Sequence, residues 1–413
     1  MKKLALAIAV TLLALSPVFS SRAQVKTVTL DDLTQNISSR NLTVLEEAQR
    51  TYQAKVAIEQ ARLALLPRLN IWQIAKLFNV LVDPFILLDA VNDIAPFLVP
   101  ANWFRIEETE ILYRAQQEGY QGLWANELLS GRSLYYRVLM DGHLRDIVGS
   151  QAKELRKLYD IAHSRYLTGL ERLETVQNLE IQALKLEQDL AELNQLMSQE
   201  LSILSMSMGL PAEEGITLEE IALKDPNLQI PIAYDAYVDG VLSVAPEIKQ
   251  YEEFLRVIPK IKKEIYFNFL GVSEVSRGVA GGIFDAISIP NGLGFENGAA
   301  MKIVRSQKEI LTLQKQGVTE TIKRQLQNVV GTFNQVVTYY SNAQRQEELA
   351  ASNVELMQNR MMMGEKIDLN DLAVALEQKS ILTSARFELT YRFALQQDRL
   401  SRLMLSEDFA KHP

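Results

Sequence analysis

The side chains in this chain that could do chemistry are few and scattered. The three histidines, His143, His163 and His412, lie far apart, and the sequence has no Cys, no HExxH and no Gly-x-Ser-x-Gly. Hydrolase and zinc-enzyme chemistry therefore lacks its residues. Met361-Met362-Met363 offers thioethers, which suit Cu(I). Three successive residues of a helix point in three directions, so contact or flexible packing is the better reading. The Gly-rich stretch Gly278 to Gly298 has no Lys and Ser/Thr pair in phosphate-loop order and reads as turns. Asp368 and Asp371, with Asn370 between them, precede an apolar period and suit the N-terminus of a final helix. No catalytic residue, cofactor site or metal site is expected.

What must position these residues is a repeated helical hairpin. Arg165-Tyr-Leu-Thr-Gly169-Leu170 recurs, degraded, as Arg360-Met-Met-Met-Gly364-Glu365, and in both copies Arg precedes Gly by four and a new amphipathic helix follows. Glycine after a last helical turn takes the left-handed C-cap conformation, so each copy reads as the tip of a hairpin. The two glycines are 195 residues apart, which implies a chain made of two similar halves.

The helices can be followed through the chain. Residues 24–40 read as a polar, extended segment with a short helix start capped by Thr29 or Asp31, and a first long helix spans Asn41 to Leu66, stopped by Pro67. Phe104 to Ser164 carries no Pro and has apolar residues three or four apart, which is about 90 Å of helix. The return helix bears Leu186, Leu190, Leu193, Met197, Leu201 and Leu204, the spacing of a coiled-coil seam, and ends at Met208-Gly209-Leu210-Pro211. In the second half a helix from Ala245 to Phe269 is expected to be kinked or interrupted by Pro259. A long helix then reaches the Gly364 tip, and a last one passes Leu372, Leu376, Phe387 and Leu395.

The division read from these signals is 1–23 signal peptide, 24–211 first half with its tip at 165–170 and an insert at 68–103, 212–244 connection, and 245–413 second half with an insert at 272–298 and a tip at 360–371. Met1-Lys2-Lys3, the apolar Leu4 to Leu15 and Ser21-Arg22-Ala23 have the order of a cleaved export signal. Cleavage would take the net charge from −8 to about −11, which argues against a nucleic-acid partner. An exported chain without Cys depends on packing or assembly for its stability.

Four segments together carry a family resemblance: Arg165-Tyr-x-x-Gly-Leu-x-x-Leu-x-x-Val-Gln-Asn178, Leu-Leu-Pro at 65–67, Met-Gly-Leu-Pro at 208–211 and Ala-Pro-Glu-Ile at 245–248. They resemble the TolC outer-membrane efflux proteins. The resemblance implies a mainly α fold of long antiparallel hairpins in two repeated halves. It further implies a homotrimer whose arms form a periplasmic tunnel topped by an outer-membrane barrel, working with a periplasmic adaptor and an inner-membrane pump in efflux or type I secretion.

By the same resemblance, Arg165, Gly169, Leu170, Arg360 and Gly364 fall at adaptor-docking tips, and Asp368, Asn370 and Asp371 fall where an acidic gate narrows the tunnel entrance. A ring of carboxylates at Asp371 would favour cations. One departure is evident. A barrel strand needs about 9–11 alternating residues, and insert 272–298 has little room while insert 68–103 lacks alternation and carries Lys76, Asp83, Asp89 and Asp93. The expectation is a shortened, remodelled or absent barrel with residues 71–100 as an apolar cap. The alternative reading of function is a non-conducting periplasmic scaffold.

Overall fold

A computed structural model of the protein describes residues 26–66, 96–212, 214–267, 284 and 296–410. The expected signal segment and most of both inserts, where the expected cap and the barrel departure fall, lie outside the described residues. The elements are β1 (Lys26–Val28), α1 (Leu30–Arg40), α2 (Leu42–Leu63), α3 (Pro100–Leu167), α4 (Leu173–Ser207), β2 (Ile216–Leu218), α5 (Val238–Val244), α6 (Pro246–Tyr266), α7 (Asn297–Met362) and α8 (Leu369–Leu403). The fold is mainly α, with long antiparallel hairpins in two repeated halves.

At 68 and 66 residues, α3 and α7 are each about 100 Å long. Each is flanked along one part by the return helix of its own hairpin and along the rest by a shorter helix. In the first half, α4 climbs from the Gly169 tip and stops where α2 begins; Arg62 of α2 pairs with Glu110 of α3 at 2.7 Å further up. In the second half, α8 climbs from the Gly364 tip and α6 takes over, with Lys315 of α7 bonded to Glu252 of α6 at 2.9 Å. Each rising arm is therefore two helices laid end to end against one continuous helix.

The junctions between these helices are built from caps. Asn41 Oδ1 accepts from Val44 N at 3.0 Å, starting α2, while Asn41 Nδ2 donates to the Ser207 carbonyl at 2.7 Å, satisfying a group that the end of α4 leaves open. Gly209 sits at φ +64°, and a Cβ there would lie 2.3 Å from the Arg40 carbonyl oxygen. The corresponding residue after α8 is Leu405, which takes φ 48° in spite of its side chain. There Arg402 at the end of α8 is paired with Glu247 at the start of α6.

The short helix start expected at Thr29 extends over residues 30–40 as α1, in a segment otherwise read as extended. Thr29 and Asp32 make a reciprocal capping box, Asp32 N donating to Thr29 Oγ1 at 3.0 Å and Thr29 N to Asp32 Oδ2 at 3.1 Å. These bonds hold the Asp32 carboxyl below its ordinary pKa. Leu33 and Ile37 then pack against α3, which fits them by having Gly131 opposite. Near this level β1 and β2 pair in parallel, Lys26 opposite Ile216. The hydroxyl of buried Tyr135 reaches the carbonyls of Val28 at 2.9 Å and Glu219 at 2.8 Å.

Pro259 does not end its helix: α6 runs unbroken from Pro246 to Tyr266. Val257, Ile258, Ile261 and Ile265 on either side of it are buried in one cluster with Ile111, Leu112 and Val304 of α3 and α7. Burying several such side chains, at about 1.5–3 kcal/mol each, outweighs the roughly 3 kcal/mol that an internal Pro costs.

Candidate docking tips and tunnel entrance

Both tips end their helices with the same backbone device. At the first, Gly169 N donates to the Tyr166 carbonyl and Leu170 N to the Arg165 carbonyl, both at 2.9 Å. At the second, Gly364 N donates to the Met361 carbonyl and Glu365 N to the Arg360 carbonyl, both at 3.1 Å. This is the Schellman arrangement, and it needs the left-handed residue that Gly169 supplies at φ +73° and Gly364 at φ +86°. The Arg four residues before each Gly is thus the residue whose carbonyl closes the turn. Arg360 is exposed at its tip, and Arg165 is half-buried.

The two tips lie side by side. Leu155, Leu158, Ala162, Val176 and Leu179 of the first hairpin form one buried cluster with Val354, Leu369, Leu372, Ala373 and Leu376 of the second. Above that cluster the tips present apolar side chains to solvent. Leu170 is 71% exposed and Met363 82%, and Leu167, Leu173 and Met362 are also exposed. The Met run therefore lies at a surface, with Met361 alone turned partly into the cluster.

Charge is organised differently at the two tips. Arg360 Nε is bonded to Glu365 Oε2 at 2.6 Å. At the first tip the position of Glu365 is taken by Leu170, and the carboxylate nearby, Glu171, instead accepts from Thr175 Oγ1 at 3.2 Å. The Arg360–Glu365 bond was not anticipated from sequence, although a Glu directly after an Arg-x-x-x-Gly cap is a usable signal.

Of the three residues considered for an entrance gate, Asp368 is the N-cap of α8, its Oδ1 accepting from Asn370 N at 2.9 Å. Asp371 stands exposed in the first turn, where the helix dipole favours a carboxylate. The Asn370 side-chain oxygen is buried without a hydrogen bond. Among the described residues no group of three or more His, Cys, Asp or Glu is arranged to hold a metal ion, and no helix is long and apolar enough to cross a membrane.

No family model matches the chain, and no curated protein matches it by sequence. Solved structures do. The CmeC outer membrane channel of Campylobacter jejuni superposes with a TM-score of 0.71 at 12% identity, over 91% of this chain and 85% of that one. The outer membrane protein VceC of Vibrio cholerae gives 0.68 at 14% identity, over 91% and 95%. The MtrE outer membrane channel of Neisseria gonorrhoeae, in its open state, gives 0.66 at 12%, over 91% and 88%. Identities this low establish architecture alone, and that architecture is the TolC-like fold of outer-membrane channel proteins.

Proposed function

We propose that this chain is the subunit of a homotrimeric tunnel in the outer membrane and periplasm, serving an efflux or type I secretion system. The observation that carries the reading is the pair of exposed, apolar tips seated on one core at one end of the molecule. In this role Arg165, Gly169, Leu170, Arg360 and Gly364 form the surface that meets a periplasmic adaptor, which links the tunnel to an inner-membrane pump.

Assembly into a ring of copies is supported by apolar residues left uncovered at heptad spacing. Leu196 and Ile203 on α4, Leu349 and Leu356 on α7, and Val374 and Ile381 on α8 are all exposed and seven apart. Such a seam belongs against another helix. In a trimer the exposed Asp371 side chains would face one another at the tunnel entrance and favour cations, while Asp368 keeps its capping role. Residues 1–23 would direct export and be removed.

The test is conductance in a planar bilayer together with the mass of the purified protein in detergent. Steady trimeric pores would bear the proposal out. A silent, monomeric protein would overturn it and leave a periplasmic scaffold in its place.

A further inference from the structure

Just beyond the junction of α4 and α2, two carboxyl groups are buried against each other. Asp141 of α3 is 5% exposed and Glu200 of α4 is 4% exposed. Their helices run antiparallel here, with Gly142 of α3 against the Met197 side chain of α4. Arg137 Nε lies 2.5 Å from Glu200 Oε1, yet neither Glu200 oxygen nor Asp141 Oδ2 has an aligned hydrogen bond from the rest of the protein. Two buried carboxylates and one largely solvated guanidinium leave a negative charge uncompensated, which is costly unless one carboxyl keeps its proton.

The duplication offers an internal comparison. Both return helices have 35 residues, so Glu200, seven before the end of α4 at Ser207, corresponds to Gln396, seven before the end of α8 at Leu403. Asp141, 28 before Gly169, corresponds to Val336, 28 before Gly364. Val336 and Gln396 are just as buried, at 1% and 3% exposed. Packing at this level is therefore met by an uncharged pair in one half, and the acid pair is peculiar to the other.

We propose that Glu200 holds a proton against Asp141 and acts as a pH-sensitive latch joining α3 to α4. With the proton in place, the Glu200 carboxyl donates to Asp141 and the helices are tied. Its release to solvent at higher pH leaves two like charges in a desolvated site, and α4 opens from α3 more readily.

Burial, helped by the bond to Asp141, lifts the Glu200 carboxyl from 4.5 to about 7 against the opposing pull of Arg137. The folded chain binds the proton more tightly than the unfolded one. Stability from this site is thus present in full below about pH 4.5 and is lost as pH rises through about 7. Several other charged groups along this stretch have partners of their own. His143 faces Glu220 at 3.5 Å, Arg145 pairs with Asp146 at 2.8 Å, and Glu127 accepts from Asn41 Nδ2 at 3.3 Å. Arg40 and Glu214 line the neighbouring cleft along α4, and α8 brings the rings of Phe387 and Tyr391 into the core here.

The experiment is hydrogen exchange of the full-length protein at about pH 5.5 and about pH 8, corrected for intrinsic rates, comparing peptides from 195–207 of α4 with the matching 391–403 of α8. The α4 peptides should lose protection roughly tenfold or more on going to the higher pH, and the α8 peptides should not. Glu200→Gln, which installs the residue of the second half, should abolish the α4 response. An equal response of α4 and α8 in the unmodified protein would overturn the latch, as would an unchanged α4 response in Glu200→Gln. If that variant does not fold, the α4 and α8 comparison still decides.

Discussion

Arg360 and Glu365 are bonded across the second tip at 2.6 Å, whereas the matching positions of the first tip, Arg165 and Leu170, pair a cation with an apolar side chain. The two hairpin ends share a backbone and differ in what they show a partner. One displays a free apolar contact beside an Arg, and the other displays a neutralised ion pair between Met362 and Met363 and the start of α8.

Because both members of the Arg360–Glu365 pair are about half exposed, the bond contributes little to stability, of the order of 0–1 kcal/mol. Arg360→Ala should leave the melting temperature within a few degrees while weakening transport in cells. A large loss of stability, read by calorimetry, would show the tip to be structural.

The four left-handed residues among those described should respond differently to substitution. Gly169→Ala and Gly364→Ala meet open space, so their cost is the backbone strain alone, about 1 kcal/mol each. Gly209→Ala puts a methyl group against the Arg40 carbonyl oxygen and should cost several times as much. Leu405→Gly relieves strain but gives up a partly buried side chain, so it should be near neutral. Denaturant unfolding of the four variants ranks them.

Asn41→Ala removes the cap of α2 and the donor to Ser207 together, and about 2–3 kcal/mol should be lost. Asn41→Asp keeps the acceptor for Val44 N but loses the donor and faces Glu127, so an intermediate loss is expected at neutral pH. Equal stability of the two variants would show that the acceptor for Val44 N contributes no more than the new charge facing Glu127 costs.

Asp368→Ala and Asp371→Asn separate capping from gating. The first should cost about 1 kcal/mol of stability through the lost bond from Asn370 N. The second should leave the melting temperature nearly unchanged and lower the cation preference of the pore, measured from the reversal potential in a salt gradient. Unaltered selectivity in Asp371→Asn would remove that residue from the gate.

The features legible in sequence were those that a few neighbouring residues determine. Gly169, Gly209 and Gly364 announce their turns because the left-handed conformation is a local demand, and the seam from Leu186 to Leu204 announces its face by spacing. What was missed depends on distant partners. Pro259 reads as a helix breaker until Val257 and Ile261 are seen in a shared core, and the helix start at Thr29 is legible while the length of α1 is not, because Leu33 and Ile37 anchor it to distant partners. Asn41 shows one cap in sequence; its second, on Ser207, is 166 residues away. The acid pair of Asp141 and Glu200 could not be seen at all, since nothing local separates it from the many exposed carboxylates of an acidic chain.

The end-to-end meeting of α4 with α2, and of α8 with α6, has a mechanical consequence. No covalent chain runs through either splice, so each rising arm behaves as a column of two stacked drums: it resists compression but carries little torque. Among the described residues, the unbroken α3 and α7 are the shafts that can carry a twist from the tips towards the opposite end. Rotation imposed at the tips would be borne by these two helices and absorbed at the splices by Asn41, Gly209 and the Arg402–Glu247 pair.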